Sequence, residues 1–425
     1  MAMTAAENER LTRVGPGTPM GELMRRHWQP IAAVAELDEH PIKPVRLLGE
    51  DLVLYRDLSG TYGLVDKHCP HRRADMAHGY VEDCGIRCSY HGWKFDERGQ
   101  CVHQPYEDAV NPGSTFKDGI TTTAYRAEAR AGMVWAYLGP DPAPLIPNWE
   151  PFTYEHVFAQ IVFHIVDCNW LQCQENSIDP VHFEWLHSNW KPGQSGAMEQ
   201  YAPTHRQLGF DEWEHGFRYK RVLDGGDETA DSWVNGRLCL LPNVFVPLHF
   251  EWRVPIDDEH TLSVIWQFDR VPASLEPFEQ ETIPYWWGKL QSPESGELFS
   301  THVLNQDTTS WVGQGVIADR TKEHIGRSDR GVVMLRRQLE ADMQAVEEGR
   351  DPKGIVRDPE ANRCISWPND LRDGYIKAPT PEQIQQRHAF LKTLMPGSEP
   401  DDYFFLMAGQ PLEVRAAYLA AMGLA

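Results

Sequence analysis

The hydrophobic pattern at the start of the chain predicts two short helices followed by a series of strands. Thr4 is placed to cap a helix over Ala5 to Leu11, and a second helix fits Met20 to Arg25 after a Gly-Pro-Gly turn. From Pro30 onward, short apolar runs alternate with turn residues, which is typical of strands. These runs are Val45–Leu48, Leu52–Tyr55, Gly63–Val65 and Met133–Leu138. The pattern predicts a β-rich unit that ends before the proline-rich stretch Gly139–Pro147.

After this stretch the chain mixes strand and helix patterns. Predicted strands cover Phe158–Val166, Phe217–Leu223, Leu238–Phe250 and Leu262–Phe268. Predicted helices cover residues 169–187, 297–315 and 329–348, and a further helix that opens at Thr380-Pro381 and closes at Pro396-Gly397. Such a mixture indicates the α+β class, with helices covering an antiparallel sheet. We therefore divide the chain into an N-terminal helical segment (1–26), a β-rich domain (27–145) and a second domain with a C-terminal helical extension (146–425).

Length and charge narrow the possible classes of function. At 425 residues the chain exceeds the size of about 250–300 residues at which single hydrophobic cores stop growing, so two domains are expected. The 62 acidic residues outnumber the 40 basic ones, and no basic block offsets the formal charge of −22, which argues against binding to nucleic acid or an anionic membrane surface. No apolar run approaches the roughly 18 residues of a membrane span, and the first residues lack a signal-peptide pattern. We expect a cytoplasmic protein.

Two Cys-His pairs give the clearest chemical signal. Cys69 and His71 lie in one turn-rich loop and Cys88 and His91 in another, so that each loop supplies one thiolate and one imidazole. A Rieske [2Fe–2S] centre binds one iron through two cysteines and the other through two histidines, which suits two such loops folded together. A structural zinc site is the alternative, but common zinc fingers pair Cys with Cys and His with His along the chain. The spacing therefore predicts a Rieske cluster.

A second metal site is predicted where Asp179, His182 and His187 form an Asp-x2-His-x4-His pattern. On a straight helix, residues five apart point about 140° away from one another. His182 and His187 can therefore reach one metal only if the helix kinks, bulges or ends between them, and Pro180 favours such an irregularity. Two histidines and one carboxylate on one face of an octahedron leave positions open for O2 activation at Fe(II). Taken without the Cys-His loops upstream, the same residues fit the polar face of a helix equally well.

The carboxylate ligand is not fixed by the spacing. Asp307 is the single acid in the otherwise uncharged stretch Val303–Trp311, and an unpaired buried carboxylate is costly unless a cation neutralises it. Asp319, Glu323 and Asp329 are rivals, but basic residues surround them, which favours surface ion pairs. The residues by themselves leave Asp307 and its rivals open.

Together, the two motifs resemble those of the catalytic subunits of Rieske non-haem iron oxygenases. The resemblance rests on C-x-H-x16-C-x2-H followed by N-x2-D-x2-H-x4-H, and it extends over nearly the whole chain. Residues 7–21, 305–315 and 318–321 are similar to the phthalate-dioxygenase-like branch. Within that branch, residues 169–187 and the long C-terminal extension are most similar to the 5,5′-dehydrodivanillate O-demethylase group.

The resemblance implies a β-rich Rieske domain followed by a helix-grip (START/Bet v1-like) catalytic domain. It assigns the four ligands of the [2Fe–2S] cluster, which are Cys69, His71, Cys88 and His91. It also assigns the three ligands of a mononuclear Fe(II), which are His182, His187 and Asp307.

Two catalytic residues follow from the same resemblance. Asp179 is expected to accept a hydrogen bond from His182 and another from His91 of a neighbouring subunit. The second catalytic residue implied by the resemblance is Asn176, which belongs to the same motif. A bridge between subunits implies a ring, so a homotrimer or a hexamer of trimers is expected.

The chain needs an outside source of electrons. Residues 15–21 are glycine-rich but follow no strand and do not fit G-x-G-x-x-G, and there is no plant-type ferredoxin run of cysteines. The resemblance implies a separate reductase driven by NAD(P)H, with or without an intervening ferredoxin. Five basic residues near the cluster loops could form a docking patch, with solvated surface charge as the alternative; they are Arg72, Arg73, Arg87, Lys94 and Arg98.

The expected function is that of a terminal oxygenase component that activates O2 and oxidises an aromatic acid. The resemblance favours O-demethylation of a methoxylated, lignin-derived aromatic. The alternative is mono- or dioxygenation of the ring of an aromatic carboxylate such as a phthalate. A Rieske electron carrier without oxygenase activity is a further alternative, but a carrier would not need the long second domain or its histidine pair.

Overall fold

The computed structural model describes residues 3–300, 302–367, 377–394 and 407–424. Two helices, Ala5–Thr12 and Pro19–Arg25, open the chain. A capping box starts the first helix. The Thr4 hydroxyl accepts from the Glu7 N–H at 3.2 Å, and the Glu7 carboxylate accepts from the Thr4 N–H at 2.7 Å. Both helices predicted from the sequence are confirmed.

The β-rich part of the chain forms two antiparallel sheets. The larger has six strands in the spatial order Gln29–Ala33, Met133–Tyr137, Ala124–Arg130, Tyr62–Asp66, Glu50–Arg56 and Ile42–Leu47. The smaller has four, in the order Tyr80–Glu82, Gly85–Arg87, Lys94–Phe95 and Cys101–His103. The turn between its second and third strands holds Cys88 and His91, so the smaller sheet presents one of the two Cys-His loops.

A third sheet of eight strands follows. Their spatial order is His205–Trp213, Gly216–Leu223, Arg237–Leu240, Val244–Val246, Phe250–Pro255, Thr261–Arg270, Val157–Val166 and Tyr285–Trp287. All neighbours are antiparallel except the last pair. The prediction of one strand over Leu238–Phe250 is wrong, because Pro242-Asn243 and Pro247 interrupt the ladder and divide this stretch among three strands.

The eight-stranded sheet has two faces with different roles. One face, which includes Phe250 and Trp252, packs on the six-stranded sheet, and the rings of Trp135 and Trp252 meet edge to face at 5.3 Å. The other face includes Arg253, whose guanidinium lies 4.7 Å from the ring centre of Trp311 on a covering helix. The helices that carry the predicted iron ligands therefore lie over this second face.

The remaining α-helices in the described residues include the predicted ones, with different bounds, and five that the sequence did not predict. They are Val34–Glu39, Pro105–Val110, Trp170–Asn176, Trp190–Ser195, Asp231–Val234, Val303–Gly313, Arg330–Glu347, Pro381–Leu394 and Leu412–Ala421. The predicted helix over 169–187 is wrong as a single element, since its regular part ends at Asn176. The predicted end of a helix at Pro396-Gly397 lies outside the described residues. None of the helices in the described ranges has the length and apolar character needed to cross a membrane.

Candidate metal centres

The two Cys-His loops have matching backbone turns. The Arg73 N–H donates to the Cys69 carbonyl at 2.9 Å, and the Gly92 N–H donates to the Cys88 carbonyl at 3.0 Å. Gly92 has a φ of +76°, and a Cβ at this position would lie 2.8 Å from Pro105, so glycine is required there. These turns fix each Cys and His relative to its own loop.

The cysteines lie inside and the histidines outside. Cys69 and Cys88 are both 2% exposed, whereas His91 is exposed at the tip of its loop. The rings of His71 and His91 are 4.5 Å apart, and His71 stacks on Trp93 at 4.3 Å. The two thiols thus lie deeper in the domain than the two imidazoles. This arrangement suits a Rieske cluster, in which one iron is bound by two cysteines and the other by two histidines.

Two further observations fit a metal cluster at this position. His71 Nδ1 is buried and has no hydrogen-bond partner in the described part of the chain, which is costly unless a metal ligates it. Burial and the neighbouring Cys88 thiol raise the pKa of the Cys69 thiol to about 12. A metal cation that replaces the proton of the Cys69 thiol removes this cost.

The second site brings together a triad from two helical segments. His182, His187 and Asp307 form a group that could hold a single metal ion, with one ligand atom from each within 4.8 Å of the others. His187 Nε2 lies 3.3 Å and His182 Nε2 lies 3.7 Å from Asp307 Oδ1. Convergence of these three atoms fits a mononuclear metal ion held by two histidines and one carboxylate.

A π-helical turn makes this convergence possible. Phe183–Ser188 is π-helical, and the Asn189 N–H donates to the Glu184 carbonyl five residues earlier at 2.8 Å. A π turn holds more residues than an α turn, so side chains five apart are rotated toward the same side. The irregularity that the spacing of His182 and His187 demanded is therefore present.

The π turn is anchored from a distant strand. Glu184 is 5% exposed, and its carboxylate accepts from Arg221 at 2.9 Å and contacts His205 at 2.8 Å. A buried carboxylate held on both oxygens resists displacement. The sequence reasoning missed this contact, since nothing local relates Glu184 to residues 21 or more positions away.

Three side chains surround the triad. The Gln306 carbonyl accepts from His187 Nδ1 at 2.9 Å, and the Asn176 amide donates to Asp307 Oδ1 at 3.3 Å. Asp179 Oδ2 lies 3.7 Å from His182 Nδ1. Burial by itself raises the pKa of the Asp179 carboxyl, but attraction to His182 and to nearby backbone N–H groups outweighs burial and holds the pKa below its ordinary value. Asp179 is therefore an anion that faces Nδ1 of His182, a predicted metal ligand.

The rival acids are engaged elsewhere. Asp319 pairs with Lys322 at 2.8 Å, Glu323 pairs with Arg336, and Asp329 accepts from the Gly326 N–H at 2.6 Å. The structure thus places Asp307 with the two histidines and leaves these three acids outside the group.

The basic residues near the cluster are mostly paired within the chain. Arg87 and Lys94 both contact Glu82, at 2.6 and 3.4 Å, and Arg73 lies 3.7 Å from Asp66. Arg72 packs on the Tyr90 ring at 5.4 Å. Internal pairing favours the surface-charge interpretation of these residues over a docking patch.

Two family models and several curated proteins match this chain. A model of the Rieske [2Fe-2S] domain matches residues 27–116, and one described as LigXa C-terminal domain like matches residues 275–367. The chain is 52% identical over 384 residues to the 5,5′-dehydrodivanillate O-demethylase oxygenase subunit of Sphingobium sp. (strain NBRC 103272 / SYK-6), with 90% of each chain covered. It is 32% identical to the phthalate 4,5-dioxygenase oxygenase subunit of Pseudomonas putida, over 86% of this chain and 92% of the relative.

A solved structure shares the fold. The carbazole-bound oxygenase in its complex with the ferredoxin of carbazole 1,9a-dioxygenase superposes with a TM-score of 0.55 at 20% identity, over 85% of this chain and 97% of the other. The α+β fold, with an N-terminal Rieske domain and a helix-grip catalytic domain, is thereby confirmed. A Rieske cluster and a mononuclear non-haem iron are the cofactors that this relationship implies. The chain belongs to the Rieske non-haem iron oxygenases, as the terminal oxygenase component of a multicomponent system.

Proposed function

We propose that this oxygenase removes the methyl group from a methoxylated aromatic acid, with biaryl acids derived from lignin as the first class to test. The main support is the 52% identity to an O-demethylase that extends over nine-tenths of both chains. The second candidate is ring hydroxylation of an aromatic carboxylate, which the phthalate dioxygenase relative favours. A carrier function receives no support, because the His182, His187 and Asp307 triad has no use in a pure electron carrier.

The reaction balances with one O2 and two electrons. One oxygen atom enters the C–H bond of the methoxy group, and the other leaves as water with two protons. The hemiacetal that results breaks its C–O bond to give a phenol and formaldehyde. Iron at the triad supplies the activation of O2 when bound.

The side chains of this chain hold and orient the centre. His182, His187 and Asp307 would be the ligands, and the amide of Asn176 restrains the Asp307 carboxylate on its Oδ1. The Gln306 carbonyl keeps the proton of His187 on Nδ1 and so leaves Nε2 for the metal.

Asp179 is proposed to join two subunits. It lines an open cleft of about 480 Å³ together with His182 and the exposed Trp185, so its carboxylate is reachable from outside the chain. His91 is exposed at the tip of its loop and could enter such a cleft on a neighbouring subunit. A trimer, or a hexamer of trimers, satisfies this head-to-tail contact.

The electrons are proposed to come from NAD(P)H through a separate reductase, with a ferredoxin as a further component. A ferredoxin complex of the structurally similar carbazole oxygenase supports the second component. None of the eight cysteines, all of which lie in the described part of the chain, forms a disulfide, which fits a reducing compartment such as the cytoplasm.

Product analysis separates the two candidate reactions. Purified holoenzyme would be supplied with reductase, NADH or NADPH, and a panel of methoxylated aromatic acids that includes biaryls. We expect formaldehyde at about one per O2 consumed. A cis-diol or ring-hydroxylated acid without formaldehyde would replace O-demethylation by the second candidate.

A further inference from the structure

Arg237 lies beside the turn that carries the iron ligands. It is half-buried at the start of the strand Arg237–Leu240, directly across from the fully buried Tyr219. Its guanidinium carbon is 4.1 Å from the ring centre of Phe183, and that ring is 5.4 Å from the ring of His187. One aromatic ring therefore separates this cation from a predicted metal ligand.

The other arginines of this region already have carboxylate partners. Arg221 pairs with Glu184, and Arg253 pairs with Glu251. Arg320 and Arg336 both pair with Glu175.

Arg237 differs from all of them. Within the described part of the chain it makes no ion pair, and its polar neighbour is the Tyr219 hydroxyl. A half-buried cation without a counterion has lost hydration and gained no charge partner, so an anion brought to it is stabilised.

A guanidinium suits one class of anion best. Its planar N–H groups match the two oxygens of a carboxylate. We propose that Arg237 binds the carboxylate of the aromatic acid substrate and thereby sets its position beside the mononuclear iron site. The inference rests on the proposed function, because it presumes an acidic aromatic substrate.

A purely structural role is the competing explanation. The guanidinium also packs on Phe183 together with Arg221, whose guanidinium carbon is 4.6 Å from the same ring. If packing were the whole role, loss of Arg237 would disturb the π turn and affect every substrate alike. If Arg237 binds a carboxylate, its loss affects only substrates that have one.

The test compares an acid with its neutral ester. The probes are 5,5′-dehydrodivanillate and its dimethyl ester, with holoenzyme of the wild type, Arg237→Gln and Arg237→Lys. Arg218→Gln is the matched control, since Arg218 is next to Tyr219 on the same strand, points to the opposite face and pairs with Asp211 at 2.6 Å. The measurements are KM and kcat from formaldehyde release, equilibrium dialysis of both probes without O2, and iron content.

We expect Arg237→Gln to raise KM and weaken binding of the acid about 10- to 100-fold, the usual loss for a charge-assisted hydrogen bond, while the ester changes by less than about twofold. Arg237→Lys should recover part of the loss, and Arg218→Gln should behave as the wild type. Equal losses for acid and ester, a fall in iron content, or no loss for the acid would each overturn the assignment. Wild-type binding of the acid without formaldehyde release would overturn the proposed function instead, and dialysis would still decide the role of Arg237.

Discussion

Gln306 offers the sharpest test of how this chain prepares its iron site. The Gln306 amide nitrogen donates to the Ser300 carbonyl at 2.9 Å, which fixes the amide so that its oxygen faces His187 Nδ1, also at 2.9 Å. An amide oxygen only accepts, so a His187 proton is held on Nδ1, and Nε2, 3.3 Å from Asp307 Oδ1, is the nitrogen left to bind a metal.

Replacing Gln306 by Leu removes the acceptor with little change in volume. Loss of a hydrogen bond that orients a metal-binding histidine lowers metal affinity about 10- to 100-fold. At 1.4 kcal/mol for each factor of ten, the expected loss of Fe(II) binding free energy is about 1.4 to 2.8 kcal/mol. Gln306→Glu retains an acceptor and should recover much of the affinity.

The assay is an anaerobic titration of iron-depleted protein with Fe(II) against a chromogenic chelator. The matched control is Gln314→Leu, because Gln314 lies near the end of the same helix, is exposed, and makes only a long bond of 3.4 Å to the Ser310 carbonyl. An Fe(II) affinity in Gln306→Leu equal to that of the wild type would show that the Gln306 contact does not prepare the ligand.

Three further substitutions probe the two centres. Cys88→Ser should abolish the visible absorption of the Rieske cluster, and a full Rieske spectrum in this variant would remove Cys88 from the ligand set. Asp307→Ala should keep that spectrum while iron falls from about three to about two per chain and turnover stops, as measured by metal analysis and O2 uptake; normal iron content would move the carboxylate role to another acid. Asp179→Asn should leave both centres occupied but slow single-turnover electron delivery between them by orders of magnitude, because a neutral amide no longer attracts His182; a wild-type rate would remove the bridging role.

Local spacing revealed much of the site, since many of its residues are close in sequence. Each Cys-His pair lies within four residues, and the Asp179-to-His187 pattern spans nine, so these side chains could be proposed as ligands from local spacing. The five-residue spacing of the two histidines even required a break in the helix, and a π turn is present there. Their roles as ligands stay predictions, as does the division of the chain near residue 145.

What the sequence could not reveal depends on contacts between distant segments. Glu184 is held by Arg221, and Arg237 reaches Phe183, only because strands far along the chain fold over the π turn. Gln306 was overlooked although it precedes Asp307, because a glutamine in a polar helical stretch has no local feature that distinguishes an inward side chain from an outward one. The prediction of a single strand over Leu238–Phe250 failed for a simpler reason, since Pro242 and Pro247 have no N–H to donate to a strand ladder.

The π turn at Phe183–Ser188 also has a consequence for protein engineering. The hydrogen bond of this turn joins an N–H to the carbonyl five residues earlier, so the turn holds one residue more than an α turn would. Deleting one residue between His182 and His187 would leave them four apart, the spacing at which an ordinary α-helix places two side chains on one face, so the π turn and the five-residue spacing compensate for each other. A graft of this metal site onto another helix must therefore copy the π turn and the buried Glu184 that anchors it. On a regular α-helix, two histidines at the same five-residue spacing would point about 140° away from one another.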